Sequence, residues 1–132
     1  MLLDYVLRRL KETGKLTNKG FVVKSFVTTS MANLIANDYG VEIMETPVGF
    51  KFIGEQAKLI ENTEKSFFFG YEESYGSVIK PFVRDKDSFQ ATLLLAEVAS
   101  YYKEQGKTLV NVLDEISIFF EILYNSEARS IK

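Results

Sequence analysis

The chain contains no cysteine and no histidine. Disulfides, a thiolate nucleophile and the usual zinc sites are thereby excluded, and so is histidine acid–base chemistry. No apolar run approaches the roughly 20 residues needed to span a bilayer. Asp4 and Arg8-Arg9 interrupt the first apolar positions, so no signal peptide is expected. Basic residues never cluster beyond two, and the net charge is −2. Neither nucleic acid nor a membrane is therefore expected as a partner. Internal repeats and low-complexity tracts are lacking too. A cytoplasmic protein is the expectation that survives these exclusions.

What is present is ordinary and sufficient. A chain of 132 residues matches a single domain of common size. A composition of 46% hydrophobic and 26% charged residues is that of a globular protein able to bury a core.

Apolar periodicity divides the chain into alternating helices and strands. Leu3, Val6, Leu7 and Leu10 share one helical face, and Gly14 ends that helix. Phe21-Val22-Val23 reads as a strand. Thr29 or Ser30 can cap a helix carrying Met31, Leu34, Ile35 and Tyr39, with Gly40 at its end. Val41–Met44 reads as a second strand, and Pro47 and Gly49 mark a turn. Phe50, Ile53, Ala57 and Ile60 then define a third helix, and Ser66–Phe69 a third strand.

Val78–Val83 is expected as a fourth strand, confined to an edge by Pro81. Asp87 or Ser88 can cap a long helix through Tyr102. Its centre, Ala91–Ala99, is apolar almost all round, which predicts burial between layers. Thr108 caps a last helix with Leu109, Val112, Leu113, Ile116, Phe120 and Leu123 on one face, and a frayed polar tail is expected after Asn125. The fold class that follows is a three-layer α/β/α domain around a small mixed, mostly parallel sheet of about four strands. In such a sheet the loops Phe26–Ser30, Glu45–Gly49 and Gly70–Gly76 leave from one carboxyl-terminal edge, where ligands bind in open α/β folds.

The most informative segment is Phe67-Phe68-Phe69-Gly70-Tyr71-Glu72-Glu73-Ser74-Tyr75-Gly76. A short wholly apolar run suits a strand covered on both faces, and the glycines allow a tight loop after it. The loop offers carboxylates (Glu72, Glu73) and a hydroxyl (Ser74), a set suited to the vicinal hydroxyls of a sugar. If the loop is extended, Glu73 points away from Glu72 and is expected to serve a structural salt bridge or solvent. Adjacent carboxylates cannot readily flank one glycosidic bond at the separation of roughly 5–9.5 Å that glycoside hydrolysis requires.

Glu72-Glu73-Ser74-Tyr75-Gly76 resembles the sugar-binding loop in the third domain of the phosphoglucomutase/phosphomannomutase family, the α-D-phosphohexomutases. Tyr71 stands where most members have glycine. Glu45-Thr46-Pro47-Val48-Gly49-Phe50-Lys51 resembles the Thr-Pro-Thr-Gly-aromatic-Lys segment of the same domain, with Val48 in place of a hydroxyl residue. The resemblance runs from about Leu2 to Glu115. It implies that Glu72 and Ser74 hold ring hydroxyls of a hexose phosphate, with Gly49 and Thr46 as further substrate contacts. Lys86, in Arg84-Asp85-Lys86-Asp87, aligns with a lysine or arginine that faces the cleft in some members. Arg84 is expected to belong to a solvated helix entry instead.

The resemblance also implies a reaction: reversible 1,6 phosphoryl transfer on hexose phosphates in carbohydrate metabolism, an isomerase activity run by an intramolecular phosphotransferase. A phosphoserine, Mg²⁺ and a glucose 1,6-bisphosphate-type intermediate would take part. The phosphoserine loop, the Asp-Gly-Asp-X-Asp-Arg metal run and the phosphate-binding Arg-X-Ser-Gly-Thr loop of that family do not occur here; Ala128-Arg129-Ser130 is a partial echo of the last. The chain is thus expected to be a third-domain fragment, with about 1–20 and 124–132 as linking segments. It would be inactive alone and would work against the other domains of the same polypeptide. The alternative is a non-catalytic α/β interaction or structural module whose Glu-Glu-Ser loop is merely solvated.

Overall fold

A computed structural model describes residues 1–130. The elements follow in the order α1 (Leu2–Glu12), β1 (Gly20–Ser25), α2 (Met31–Asp38), β2 (Glu42–Thr46), α3 (Phe50–Leu59), β3 (Ser66–Tyr71), β4 (Ser77–Val78), α4 (Ser88–Glu104) and α5 (Leu109–Ser130). The strands form one sheet in the order β2-β1-β3-β4. β1 pairs in parallel with both β2 and β3, and β4 returns antiparallel to β3. The expected α/β/α architecture is what the chain adopts.

The sheet separates two apolar cores. On one side Phe21, Val23, Phe67 and Val78 pack against Phe50, Ile53 and Ala57 of α3. On the other, Val22, Phe68 and Phe69 meet buried residues of α1, α2, α4 and α5, among them Leu7, Ile35, Val98 and Ile116. β1 is buried along its whole length, as a central strand covered on both faces should be. The β1–β3 register skips a residue: Phe21 pairs with Phe67, but Val22 pairs with Phe69. Phe68 is therefore the extra residue of a β-bulge. It shares a core with Phe69, whereas Phe67 faces α3.

Four sequence expectations need correction. First, the fourth strand is only two residues long. The backbone amides of Ile79 and Lys80 donate to Gln90 Oε1 at 2.9 and 2.7 Å instead of to a neighbouring strand, and Pro81 has no amide to give. Second, α4 is not buried between layers. Leu94, Val98 and Tyr102 face the core at fourfold spacing, while Leu93 is 72% exposed and Phe89 86%. Third, α1, inside the segment expected to link, is packed: Leu3, Tyr5, Val6 and Leu7 are all buried. Finally, α5 continues past Asn125 to Ser130; residues 131 and 132 lie outside the described residues.

The caps read from the sequence are largely in place. Asp87 accepts from the amides of Phe89 and Gln90 at 2.9 and 3.3 Å and so starts α4. Thr108 Oγ1 accepts from the Asn111 amide at 3.1 Å, while Asn111 Oδ1 accepts from the Thr108 amide at 3.0 Å, a reciprocal cap for α5. Ser30 occupies the cap position of α2 without a side-chain bond.

The segment between β4 and α4 lies tightly on α3. A Cβ added at Gly54 would fall 2.1 Å from the carbonyl oxygen of Arg84, and Arg84 is anchored by Glu61 at 2.7 Å. A backbone atom cannot swing aside as a side chain can. Gly54→Ala is expected to destabilise the chain by about 1–3 kcal/mol, the usual cost of overpacking, measured as a lower midpoint in chemical denaturation.

Candidate functional site

Parallel pairing brings the ends of β1, β2 and β3 to one edge. Ser25 pairs with Thr46, and Lys24 with Tyr71, so the loops after these strands leave side by side. The β3–β4 loop, residues 72–76, is closed by a hydrogen bond from the Glu72 amide to the Gly76 carbonyl at 2.9 Å. At its apex Tyr75 is 97% exposed and takes a positive φ of 66°. A left-handed residue with a side chain costs roughly 1–2 kcal/mol, which the closed loop sustains.

Glu72 folds back under this loop. Its side chain is only 5% exposed and its Oε1 lies 3.1 Å from Lys86 Nζ. A carboxylate removed from water needs such a partner. Gly76 makes room for it: a Cβ there would fall 2.6 Å from Glu72 Oε1. Lys86 thus belongs with Glu72, and its 58% exposed side chain keeps the ammonium open to solvent. Arg84, two residues earlier, is committed to Glu61 and to the Pro81 carbonyl.

The other expected site residues are distributed differently. Ser74 is exposed at the loop tip and does not share the fold-back of Glu72. Thr46 is buried, and its Oγ1 donates to the Lys24 carbonyl at 3.3 Å, so its hydroxyl is engaged within the sheet. Gly49 begins α3 with φ 124° and ψ 124°, a backbone state side chains rarely adopt. β2 and β3 lie on opposite sides of β1, so their ends are roughly 10 Å apart at the usual strand spacing. The Thr46–Gly49 bend and the Glu72 loop therefore occupy two ends of the same edge.

Sequence reasoning missed the residues between them. Lys24 is 1% exposed, and its ammonium reaches the Thr28 carbonyl at 3.1 Å and Glu45 Oε1 at 2.9 Å. Ser25 is fully buried; its hydroxyl donates to Glu73 Oε2 at 2.6 Å and lies 2.8 Å from Thr28 Oγ1. Glu73 is held by that hydroxyl, not by a salt bridge, among the described residues. The available signal was a lysine and a serine closing an otherwise apolar strand. Both bonded carboxylates feel their partners. The Lys24 ammonium and the Asn33 amide hold Glu45 below the ordinary carboxylate range, and the Ser25 hydroxyl does the same for Glu73.

Behind the loop a cleft of about 650 Å³ opens between the β1–α2 turn, the start of α1 and α4. Met31, Ile35, Phe69 and Leu95 line it along with Glu72 and Glu73. Burial pushes the Tyr71 hydroxyl beside it up to about 12. So apolar a wall suits side chains better than a hydrated sugar. Among the described residues no group of three or more acidic side chains could hold a metal ion, and no helix is long and apolar enough to cross a membrane.

Comparison with known proteins covers most of the chain. The family model for phosphoglucomutase/phosphomannomutase, alpha/beta/alpha domain III, matches residues 2–118, a span that includes every site residue above. A phosphoglucomutase of Staphylococcus epidermidis is 37% identical over 117 residues, 89% of this chain and 20% of that protein. A phosphoglucomutase of Staphylococcus aureus (strain USA300) is 35% identical over 116 residues, 88% of this chain and 20% of that protein. The crystal structure of a Thermus thermophilus protein described as a phosphomannomutase superposes with a TM-score of 0.67 at 26% identity, covering 91% of this chain and 25% of that one. The chain spans about a fifth of the length of the curated relatives it matches.

The depressed Glu45 carboxyl gives a pH signature. A folded pKa below the unfolded value stabilises above the ordinary glutamate range, at about pH 4.3, and that contribution disappears as pH falls through the folded value. Glu45→Gln, which resembles the protonated acid, is expected to be less stable than the parent at about pH 7, where the carboxylate is fully ionised. The gap should close as the pH is lowered through that window in a denaturation series.

Proposed function

The chain belongs to the phosphoglucomutase/phosphomannomutase family, as its α/β/α domain III, and on that footing we propose that it supplies the hexose-binding loop of a phosphohexomutase. The observation that carries this reading is the pairing at 3.1 Å of Glu72, in the closed loop at the sheet's carboxyl-terminal edge, with Lys86 from the segment before α4. A carboxylate there accepts hydrogen bonds from adjacent ring hydroxyls. The neighbouring ammonium attracts the phosphoryl oxygens of the same ligand. Without substrate the two groups neutralise each other, and a sugar phosphate can engage both at once. Ser74, exposed at the tip, adds a hydroxyl that donates or accepts. The buried Thr46 hydroxyl contributes indirectly, by fixing the strand end that carries the Gly49 bend.

In the full-length enzyme the reaction would be reversible 1,6 phosphoryl transfer through a phosphoserine and a bisphosphate intermediate, both contributed from outside this chain. Such transfer depends mainly on positioning and charge stabilisation, and positioning is this domain's part. Glu72 and Ser74 would hold hydroxyls common to both orientations of the intermediate. Lys86 would offset charge on the phosphoryl group. Mg²⁺ chemistry would require a carboxylate cluster located elsewhere in the polypeptide.

The strength of binding can be bounded. Two or three charge-assisted hydrogen bonds contribute about 1.5–3 kcal/mol each, and immobilising the ligand costs at least ~4 kcal/mol. The isolated chain is therefore expected to bind glucose 1-phosphate at millimolar strength or weaker and to show no mutase turnover. Amide NMR should record shifts confined to Glu72–Gly76, Gly49 and Lys86. Shifts that map instead to other parts of the surface and spare these residues would overturn the reading. In the full-length enzyme, Gly76→Ala is expected to displace the Glu72 carboxylate and lower kcat/KM by about tenfold. The melting temperature should fall too, because the added Cβ meets the Glu72 side chain as far back as its Cγ at 2.9 Å and the displaced, occluded carboxylate loses Lys86.

A further inference from the structure

We propose that Ser25 and Glu73 form a positioning pair that aims Glu72, a role resting on the reading of residues 72–76 as the hexose loop. Ser25 is the last residue of β1 and fully buried. Its hydroxyl carries one proton. Donated to Glu73 Oε2 at 2.6 Å, that proton leaves the Ser25 oxygen to accept from the Thr28 hydroxyl at 2.8 Å. The direction of the relay is thereby set, from Thr28 to Ser25 to Glu73. A bond of this length from a hydroxyl to a carboxylate belongs to the strong, charge-assisted class. Thr28 is itself held, because its carbonyl accepts from the buried Lys24 ammonium at 3.1 Å.

The consequence lies in the neighbouring residue. Glu73 is drawn toward the end of β1, while Glu72 is drawn toward Lys86 at 3.1 Å. Two consecutive carboxylates held by different partners fix the peptide between them. The Glu72 amide is fixed as well, by the Gly76 carbonyl at 2.9 Å. Three anchors on one short loop leave the Glu72 carboxylate one direction in which to present itself. Without the Glu73 anchor the loop could rock about the remaining two, and the Glu72 carboxylate would lose its fixed aim. A role in stability alone accounts poorly for this arrangement. Glu73 is an exposed residue, and one hydrogen bond to an exposed acid adds little to folding. Yet a fully buried serine commits its only proton to it.

The test uses the full-length enzyme that carries this domain, with glucose 1-phosphate as substrate. Ser25→Ala and Glu73→Ala are each expected to lower kcat/KM by about tenfold, mainly through a higher KM, because ring-hydroxyl contacts are made in ground and transition states alike. The double variant should be no worse than either single one, as for two members of one interaction. Glu73→Gln, which keeps an acceptor oxygen for the serine, should recover most of the loss. Glu73→Ala alters only an exposed side chain and keeps the test valid if Ser25→Ala folds poorly. A KM unchanged in Glu73→Ala, or losses that multiply in the double variant, would overturn the proposal. Glu72→Gln separates the two readings: if it lowers kcat/KM while Glu73→Ala does not, only the positioning role fails. If Glu72→Gln has no effect either, the hexose loop assignment fails with it.

Discussion

The parallel pairing of β1 with strands on both of its edges is the constraint from which the rest follows. A central strand paired on both sides commits its backbone donors and acceptors to two neighbours, and the register of that pairing sets where their ends fall. Ser25 opposite Thr46 and Lys24 opposite Tyr71 place three strand ends on one line. The loops that follow these strands then emerge from that line. The two residues closing β1 do more than end it. Lys24 reaches toward the β2 end and Ser25 toward the β3 end, so one strand terminus braces the loops on either side.

The electrostatics of the edge follow the same plan. Each carboxylate near the line has its own donor: Glu45 the Lys24 ammonium, Glu72 the Lys86 ammonium, Glu73 the Ser25 hydroxyl. The three acids differ in burial, and that difference assigns their parts. Glu45 and Glu73 are exposed and can remain charged cheaply in water. Glu72 is occluded, so its charge depends on a cation that is itself open to solvent. A ligand bringing its own hydroxyl donors and its own anion could exchange partners with that pair, which the two other acids could not do as readily.

Much of the architecture was legible because local signals agreed with one another. The wholly apolar phenylalanine run, the glycine-bounded loop and the capping residues Asp87 and Thr108 each state a conformation through short-range physics. What was not legible depended on partners distant in sequence. The apolar centre of α4 looks buried on all sides, yet only Leu94, Val98 and Tyr102 find a core. Pattern reports what a helix offers, not what comes to meet it. The fourth strand stopped early because Gln90, ten residues or more away, took the amides a ladder would have used. At the site, Glu72, Ser74 and the Gly49 bend were identifiable as residues. Lys86 was singled out by a family pattern, but its contact with Glu72 was not, and for Lys24 and Ser25 the only signal was a pair of polar residues closing an apolar strand. Nothing in the order of residues says that a lysine ending an apolar strand will turn inward.

The extra residue at Phe68 bears on how this edge can change through mutation. Phe67, Phe68 and Phe69 are chemically identical, yet the bulge sends the first toward α3 and the next two to the opposite core. It also brings Gly70 against Ile53, where a Cβ would fall 2.7 Å from the isoleucine side chain, and lays the Phe68 ring over Gly20. Removing any one of the three leaves two phenylalanines, which a regular ladder takes up without a bulge: the first still faces α3, the second the opposite core, and Gly70 and Tyr71 keep their sides. A fourth phenylalanine would have no such slack to absorb it and would reverse the facing of every later residue in the strand, the acidic loop included. Shortening the triplet is thus a loss of volume from one core, whereas lengthening it is a change of parity.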